Sequence, residues 1–210
     1  FYINCVLILL ILSIFSLIFS TPVKQFSTQK DTKNGIDIVF LFDVSISMNS
    51  KDILPTRLDL AKEVVEDFIW ELKNDRVWLV YYSGLPFLWS SLVFDYDFVK
   101  QKIQNLSVNT INQNYSHLQW SAIWNAMLYW SELFDEKDLR KKTIVIFTDW
   151  ESKQWIDYKE AIDYLKQKNV IVYTVWIWWY QKTFAEFNWN KLDVQPINED
   201  VLKEIANSLN

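Results

Sequence analysis

Four short runs of β-branched and aromatic residues, 36–42, 77–82, 143–148 and 170–177, alternate along this chain with stretches of helical periodicity. That alternation constrains the fold more tightly than any other feature. The run Ile36–Phe42 (IDIVFLF) is apolar on nearly every position, so both of its faces need cover, as in parallel strands with helices on each side. Residues 57–73 place Leu58, Ala61, Val64, Val65, Phe68 and Leu72 at helical spacing, with Asp59, Lys62, Glu63 and Glu66 opposite. Further helices are expected at 95–105, with Asp95 as a cap, and at 121–134, 157–168 and 199–208. Strands alternating with helices predict an α/β domain: a doubly wound, mostly parallel, Rossmann-like sheet with helices on both faces. No internal repeat is evident.

Bulk properties narrow the function. A chain of 210 residues holds one such domain plus a small appendage. Its net charge of -5, with no dense lysine or arginine cluster, argues against nucleic acid as a partner. The single cysteine, Cys5, excludes an internal disulfide framework and reads as a small hydrophobe in an apolar run. The abnormal counts are 12 tryptophans against 2 glycines, where average usage would give roughly 15 glycines. Several tryptophans stand where turns want glycine: Trp150 after an apolar strand, and Trp176, Trp178 and Trp179 at the end of another. Read as glycine, they give TDGES and TVGIGG, and Trp120 and Trp124 give LQGSAIGNAM. This is the pattern expected if the source organism reads UGA as glycine; Trp70 and Trp89 are the least clear cases. The alternative is a tryptophan-rich surface for sugars or membrane.

Residues 2–19 (YINCVLILLILSIFSLIF) are almost unbroken hydrocarbon. About 20 apolar residues span a bilayer as a helix, so residues 1–20 read as a transmembrane anchor, with a signal segment as the alternative. The chain opens on Phe1 rather than Met, so the basic flank of a signal peptide is not on view, and a retained anchor is the expectation. Residues 21–34 are polar and read as a linker, and 35–210 as the folded domain. The chain stops soon after the helix expected at 199–208, so an extension beyond Asn210 is also expected.

The chemistry collects at strand ends. In an open parallel sheet, ligands bind beyond the carboxyl ends of the strands. Asp43, Ser45 and Ser47 directly follow the first run, Asp149 follows the third, and Ser121 opens the helix expected at 121–134. Every one of these side chains offers oxygen and none offers nitrogen or sulfur, which selects a hard cation such as Mg²⁺, with Ca²⁺ and Mn²⁺ as alternatives, over Zn²⁺. Alternate spacing lets Asp43, Ser45 and Ser47 point together while Val44 and Ile46 point away. Hydroxyls outnumber carboxylates, so a cation here stays under-neutralised and invites an Asp or Glu from a partner protein.

These residues reach a family. NGIDIVFLFDVSISM, RLDLAKEVVEDFI, RVWLVYYSG, LQWSAIWNAM, IVIFTDW and VIVYTVWIWW resemble the von Willebrand factor A (VWA) domain over about 35–208. The apolar segment in front is similar to the layout of the bacterial aerotolerance-type (Bat) membrane-anchored subfamily. The resemblance implies a metal-ion-dependent adhesion site (MIDAS). Asp43, Ser45 and Ser47 would form its first loop, Ser121 would stand where threonine is usual, and Asp149 would supply the third. It implies direct ligation by the serines, with the aspartates often acting through water. Two departures stand out: Ile46 replaces the usual glycine between the serines, and Trp120 and Trp150 flank site residues.

Other signals carry less. His117 is the only histidine, so a triad or a histidine-based zinc site has little to build on and a loop or structural role is expected. A phosphoaspartyl enzyme of the haloacid dehalogenase type would need an acid/base aspartate at position 45, where Ser45 stands. The charges of Asp135, Glu136, Asp138, Arg140, Lys141 and Lys142 read as a solvated helix end. The expected function is a membrane-anchored, non-enzymatic binding module that grips an acidic protein partner through its metal and takes no small-molecule substrate. A secreted or cell-surface adhesin and a metal-independent scaffold are the alternatives. Lys24, Lys30 and Lys33 after the anchor nominally favour a cytoplasmic domain; the resemblance favours the outer side of the cell membrane, which is the reading adopted.

Overall fold

The computed structural model describes residues 35–115, 118, 123–134, 138–149, 158–177, 183–187 and 190–194. The apolar segment 2–19, the linker, Ser121, Trp120, Trp150, His117 and the helix expected at 199–208 lie outside the described residues. Among the described residues no helix is long and apolar enough to cross a membrane.

The sheet has five strands in the order β3-β2-β1-β4-β5. They are β1 (Ile36–Asp43), β2 (Arg76–Tyr82), β3 (Pro86–Val93), β4 (Lys141–Thr148) and β5 (Val170–Trp176). β1 pairs in parallel with both β2 and β4, and β4 with β5; only β3 runs antiparallel to its neighbour. The helices are α1 (Arg57–Ile69), α2 (Tyr96–Gln104), α3 (Ile123–Glu132) and α4 (Tyr158–Gln167). A separate hairpin, β6 (Thr183–Phe187) and β7 (Asn190–Val194), forms a second sheet.

The central strand explains the two-sided cover. Ile38, Phe40 and Phe42 of β1 pack with Leu58, Ala61, Val65 and Ile69 of α1 and with Val99 and Ile103 of α2. Val39 and Leu41 belong to the opposite core, with Ile123, Ala126, Met127 and Trp130 of α3 and Ala161, Ile162 and Leu165 of α4. A strand sends successive side chains to opposite faces, and here both faces are apolar and both are covered. Burying each such aliphatic or aromatic side chain stabilises the fold by about 1.5–3 kcal/mol.

Local signals set the element ends. Thr56 caps α1 by accepting a hydrogen bond from the Asp59 backbone N–H, and Asp95 caps α2 by accepting one from Phe98. The helix expected over 57–73 stops at Ile69, because the next turns tighten: Trp70, Glu71 and Leu72 each donate to a carbonyl three residues back. Leu72 still packs on the core from that turn. At the start of β1, Gly35 is required by space. A Cβ there would run into the Arg140 guanidinium and the Asn74 carbonyl.

β3 is an addition to the sequence reading. It begins on Pro86, lies at the edge, and its pairing with β2 shifts register on both sides of Leu79. Proline and an irregular ladder are habits of edge strands, which need to resist pairing with other chains.

Candidate metal-binding site

Two neighbouring parallel strands end at the same place. Phe42 of β1 stands beside Phe147 of β4 in register, and their rings stack at 5.2 Å with an interplanar angle of 16°. The chain positions that follow are Asp43 on one strand, and Thr148 and Asp149 on the other. Thr148 Oγ1 donates to Asp43 Oδ2 at 2.9 Å. The sheet register therefore brings together two carboxylates that are distant in sequence.

Beyond Asp43 the backbone does not continue as an extended strand. Val44 donates its N–H to the Tyr82 carbonyl at 2.8 Å, and a 3₁₀ turn runs over Ile46–Asn49. The Asp43 carboxylate folds over this corner, its Oδ1 accepting the Ser45 N–H at 2.8 Å. An aspartate that binds the backbone two residues on mimics a turn and fixes its own rotamer. Ser45 occupies the N-cap position, yet its side chain makes no capping bond. Instead its Oγ lies 3.1 Å from the Ser47 Oγ. The expected grouping of Asp43, Ser45 and Ser47 is present, although a 3₁₀ turn rather than strand-like alternation produces it. All three are buried, and so are Val44 and Ile46.

Ile46 sits in ordinary backbone. Among the described residues the one non-glycine with positive φ is Asn169, so the loop asks for no glycine at position 46. The loop is tied down on other sides as well. Gln113 Nε2 donates to the Val44 carbonyl at 2.9 Å, and the Arg57 N–H donates to the Ser50 carbonyl at 3.2 Å. Hairpin strand β6 lies against the 3₁₀ turn.

Asp149 is buried and held from one side. Its Oδ2 accepts a 2.7 Å hydrogen bond from Arg57, which opens α1. Arg57 is itself buried and makes a fork with Asp52, Nε to Oδ1 at 2.9 Å and a terminal nitrogen to Oδ2 at 2.7 Å. Burial works to lower the Arg57 pKa, but hydrogen bonding to Asp52 and the charges of Asp149 and Asp52 outweigh it and hold it above its ordinary value. Asp149 Oδ1 is buried with no hydrogen-bond partner among the described residues. A buried carboxylate oxygen without a donor is costly, and a cation is the natural complement. The donor set is carboxylate and hydroxyl oxygens, the chemistry of a hard-ion site; among the described residues no group of three or more histidine, cysteine, aspartate or glutamate side chains is placed to hold a metal by itself.

Of the five residues expected to form the site, the structure brings Asp43, Ser45, Ser47 and Asp149 to the carboxyl ends of β1 and β4, and Ser121 lies outside the described residues. Sequence reasoning missed Thr148, Arg57 and Asp52. Thr148 offered a signal, being a polar residue at the end of a buried apolar strand. Arg57 and Asp52 offered little, because a charged residue at a helix start is common.

The model of the von Willebrand factor type A domain matches residues 37–209. The chain belongs to the VWA domain family. Among solved structures, the VWA domain here superposes on the conserved hypothetical protein BatB from Bacteroides thetaiotaomicron with a TM-score of 0.72 and 22% identity, covering 83% of this chain and 86% of that one. An aerotolerance-related membrane protein from Bacteroides fragilis, with multiple mutations to serines, gives a TM-score of 0.72 at 21% identity, covering 83% and 88%. The fold is thus shared with Bat proteins. A more distant neighbour is proximal thread matrix protein 1 from the mussel byssus with a zinc-occupied MIDAS motif, at a TM-score of 0.54 and 17% identity, covering 67% and 37%. An uncharacterized protein of Borreliella burgdorferi is 23% identical over 155 residues, which are 73% of this chain and 44% of that protein. The chain therefore spans less than half the length of this relative.

Proposed function

We propose that this VWA domain is a non-enzymatic protein-binding module whose MIDAS takes a divalent cation, Mg²⁺ first, and through it a carboxylate of an acidic partner. The observation that carries the reading is the buried Asp149 Oδ1, unpartnered among the described residues, beside the end of the neighbouring strand that presents Asp43, Ser45 and Ser47. Those four residues and Ser121 would hold the ion, which supplies a Lewis-acidic point able to bind one more anionic oxygen. The zinc-occupied MIDAS of the mussel protein supports the idea that loops of this type take divalent ions. In our reading residues 2–19 anchor the chain in the cell membrane by a single pass, with the domain on the outer side, a placement consistent with the membrane protein of Bacteroides fragilis that shares the fold.

Titration of the wild-type chain and the Asp43→Ala variant with Mg²⁺ tests the metal. Binding lost in the variant supports the site, and equal binding in both overturns it. Capture of a partner from envelope extract should then disappear on chelation and in Asp43→Ala. Capture that survives both treatments favours the metal-independent scaffold.

A further inference from the structure

The MIDAS reading leaves one group unexplained: a buried arginine in direct contact with a residue expected to serve a cation. Arg57 and Asp149 meet at 2.7 Å, both almost fully removed from solvent. An arginine beside a metal-binding carboxylate is electrostatically unfavourable for the metal, so it needs a reason.

The geometry supplies one. The Arg57 fork is fixed on the other side by both oxygens of Asp52. Its main-chain N–H is bonded to Ser50 at the end of the Asp-x-Ser-x-Ser loop. A planar guanidinium clamped along one edge through Nε and a terminal nitrogen has little rotational freedom left. The remaining nitrogen therefore pins Asp149 through Oδ2 alone, and Oδ1 is the oxygen left without a donor among the described residues. We propose that Arg57, braced by Asp52, is the positioning residue of the metal site: it occupies Oδ2 of Asp149 and presents Oδ1 as the single oxygen offered to the cation. This inference rests on the metal reading above and adds to it the device that sets how Asp149 is used. It also links the first loop to the third, because Ser50 and Asp149 are held by one residue.

Groups that orient a metal ligand from outside typically change metal affinity by about 10- to 100-fold when altered. The probe is Mn²⁺, titrated into the full chain in detergent and followed by the electron paramagnetic resonance of the free ion, well below the melting temperature. Asp52→Asn keeps the Arg57 charge and weakens its brace; Arg57→Lys keeps the charge and removes the fork. Both variants are expected to bind Mn²⁺ at least about tenfold more weakly while retaining the circular dichroism of the wild type. Asp138→Asn, at the opposite end of the sheet, is the control for general destabilisation and should bind as the wild type does. Unchanged affinity in folded Asp52→Asn and Arg57→Lys overturns the positioning role, as does an equal loss in Asp138→Asn. A wild-type chain that binds no Mn²⁺ instead overturns the metal reading beneath it.

Discussion

Thr148 Oγ1 donates a 2.9 Å hydrogen bond to Oδ2 of Asp43, tying together the ends of two parallel strands 105 residues apart in the chain. Both residues are fully buried, so neither has water as a substitute partner. Thr148→Val keeps the side-chain shape and removes the donor. Loss of a donor to a buried acceptor should lower the unfolding free energy by about 1–3 kcal/mol, measured by urea denaturation without divalent ions. A loss under about 0.5 kcal/mol, the range of ordinary surface substitutions, would mean that the Asp43 carboxylate is held adequately by its other contacts.

The Phe42–Phe147 stack lies one residue before that bond on each strand. It sets the spacing of the site from below, since a ring on β1 and a ring on β4 meet within the α1-side core. Phe147→Ala should cost about 3–5 kcal/mol, because the cavity it leaves in a packed core relaxes only in part. Phe147→Leu, which retains most of the volume, should recover more than half of that in the same denaturation experiment. If both variants lose the same amount, stacking rather than volume is the source.

The parts of this architecture that were legible in the sequence are those where pattern and burial agree. β1, β2, β4 and β5 were expected at 36–42, 77–82, 143–148 and 170–177, and they form within two residues of those limits because both faces of each are apolar. β3 was missed because PFLWSSLV is mostly half-buried, with two central serines and no clean alternation. β6 and β7 were missed as well, their TFAEF and NKLDV being short and of mixed polarity. That Asp43, Ser45, Ser47 and Asp149 follow the ends of β1 and β4 was readable from the apolar runs before them. Arg57 was not, since its role exists only once α1 is packed beside the end of β4 and its partners Asp52 and Asp149 have come together.

The opposite end of the sheet carries its own ion-pair network, which gives a pH dependence of known sign. Arg76 and Arg140 both bond Asp37, and Arg76 also pairs with Asp138. Burial acts to raise the Asp138 pKa, but the Arg140 backbone N–H and the Arg76 side chain outweigh it and hold the carboxyl below its ordinary 3.8. A carboxylate whose folded pKa is depressed stabilises the fold fully above its unfolded value, and that contribution is lost as pH falls through the folded one. Asp138→Asn should therefore be less stable than wild type at neutral pH. The gap should narrow as pH drops below 3.8, read from denaturation midpoints at a series of pH values. A gap that stays constant down to acid pH would assign the loss to side-chain packing and not to charge.

The tryptophan count has a physical test of its own. Among the described residues no tryptophan has positive φ, so the backbone accepts either residue at those positions. Packing separates them. Trp78 and Trp130 lie 6.0 Å apart between rings, each beside other aromatic groups, and Trp89 Nε1 donates to the Lys102 carbonyl at 2.8 Å. These three have work to do as tryptophans. Trp150 and Trp120, by contrast, lie outside the described residues and are chain neighbours of Asp149 and Ser121. Peptide mass mapping of the protein from its native source should find glycine at 120, 150, 178 and 179, the loop positions outside the described residues. An intact mass that fits twelve tryptophans would overturn the glycine reading and leave an indole next in the chain to both Asp149 and Ser121.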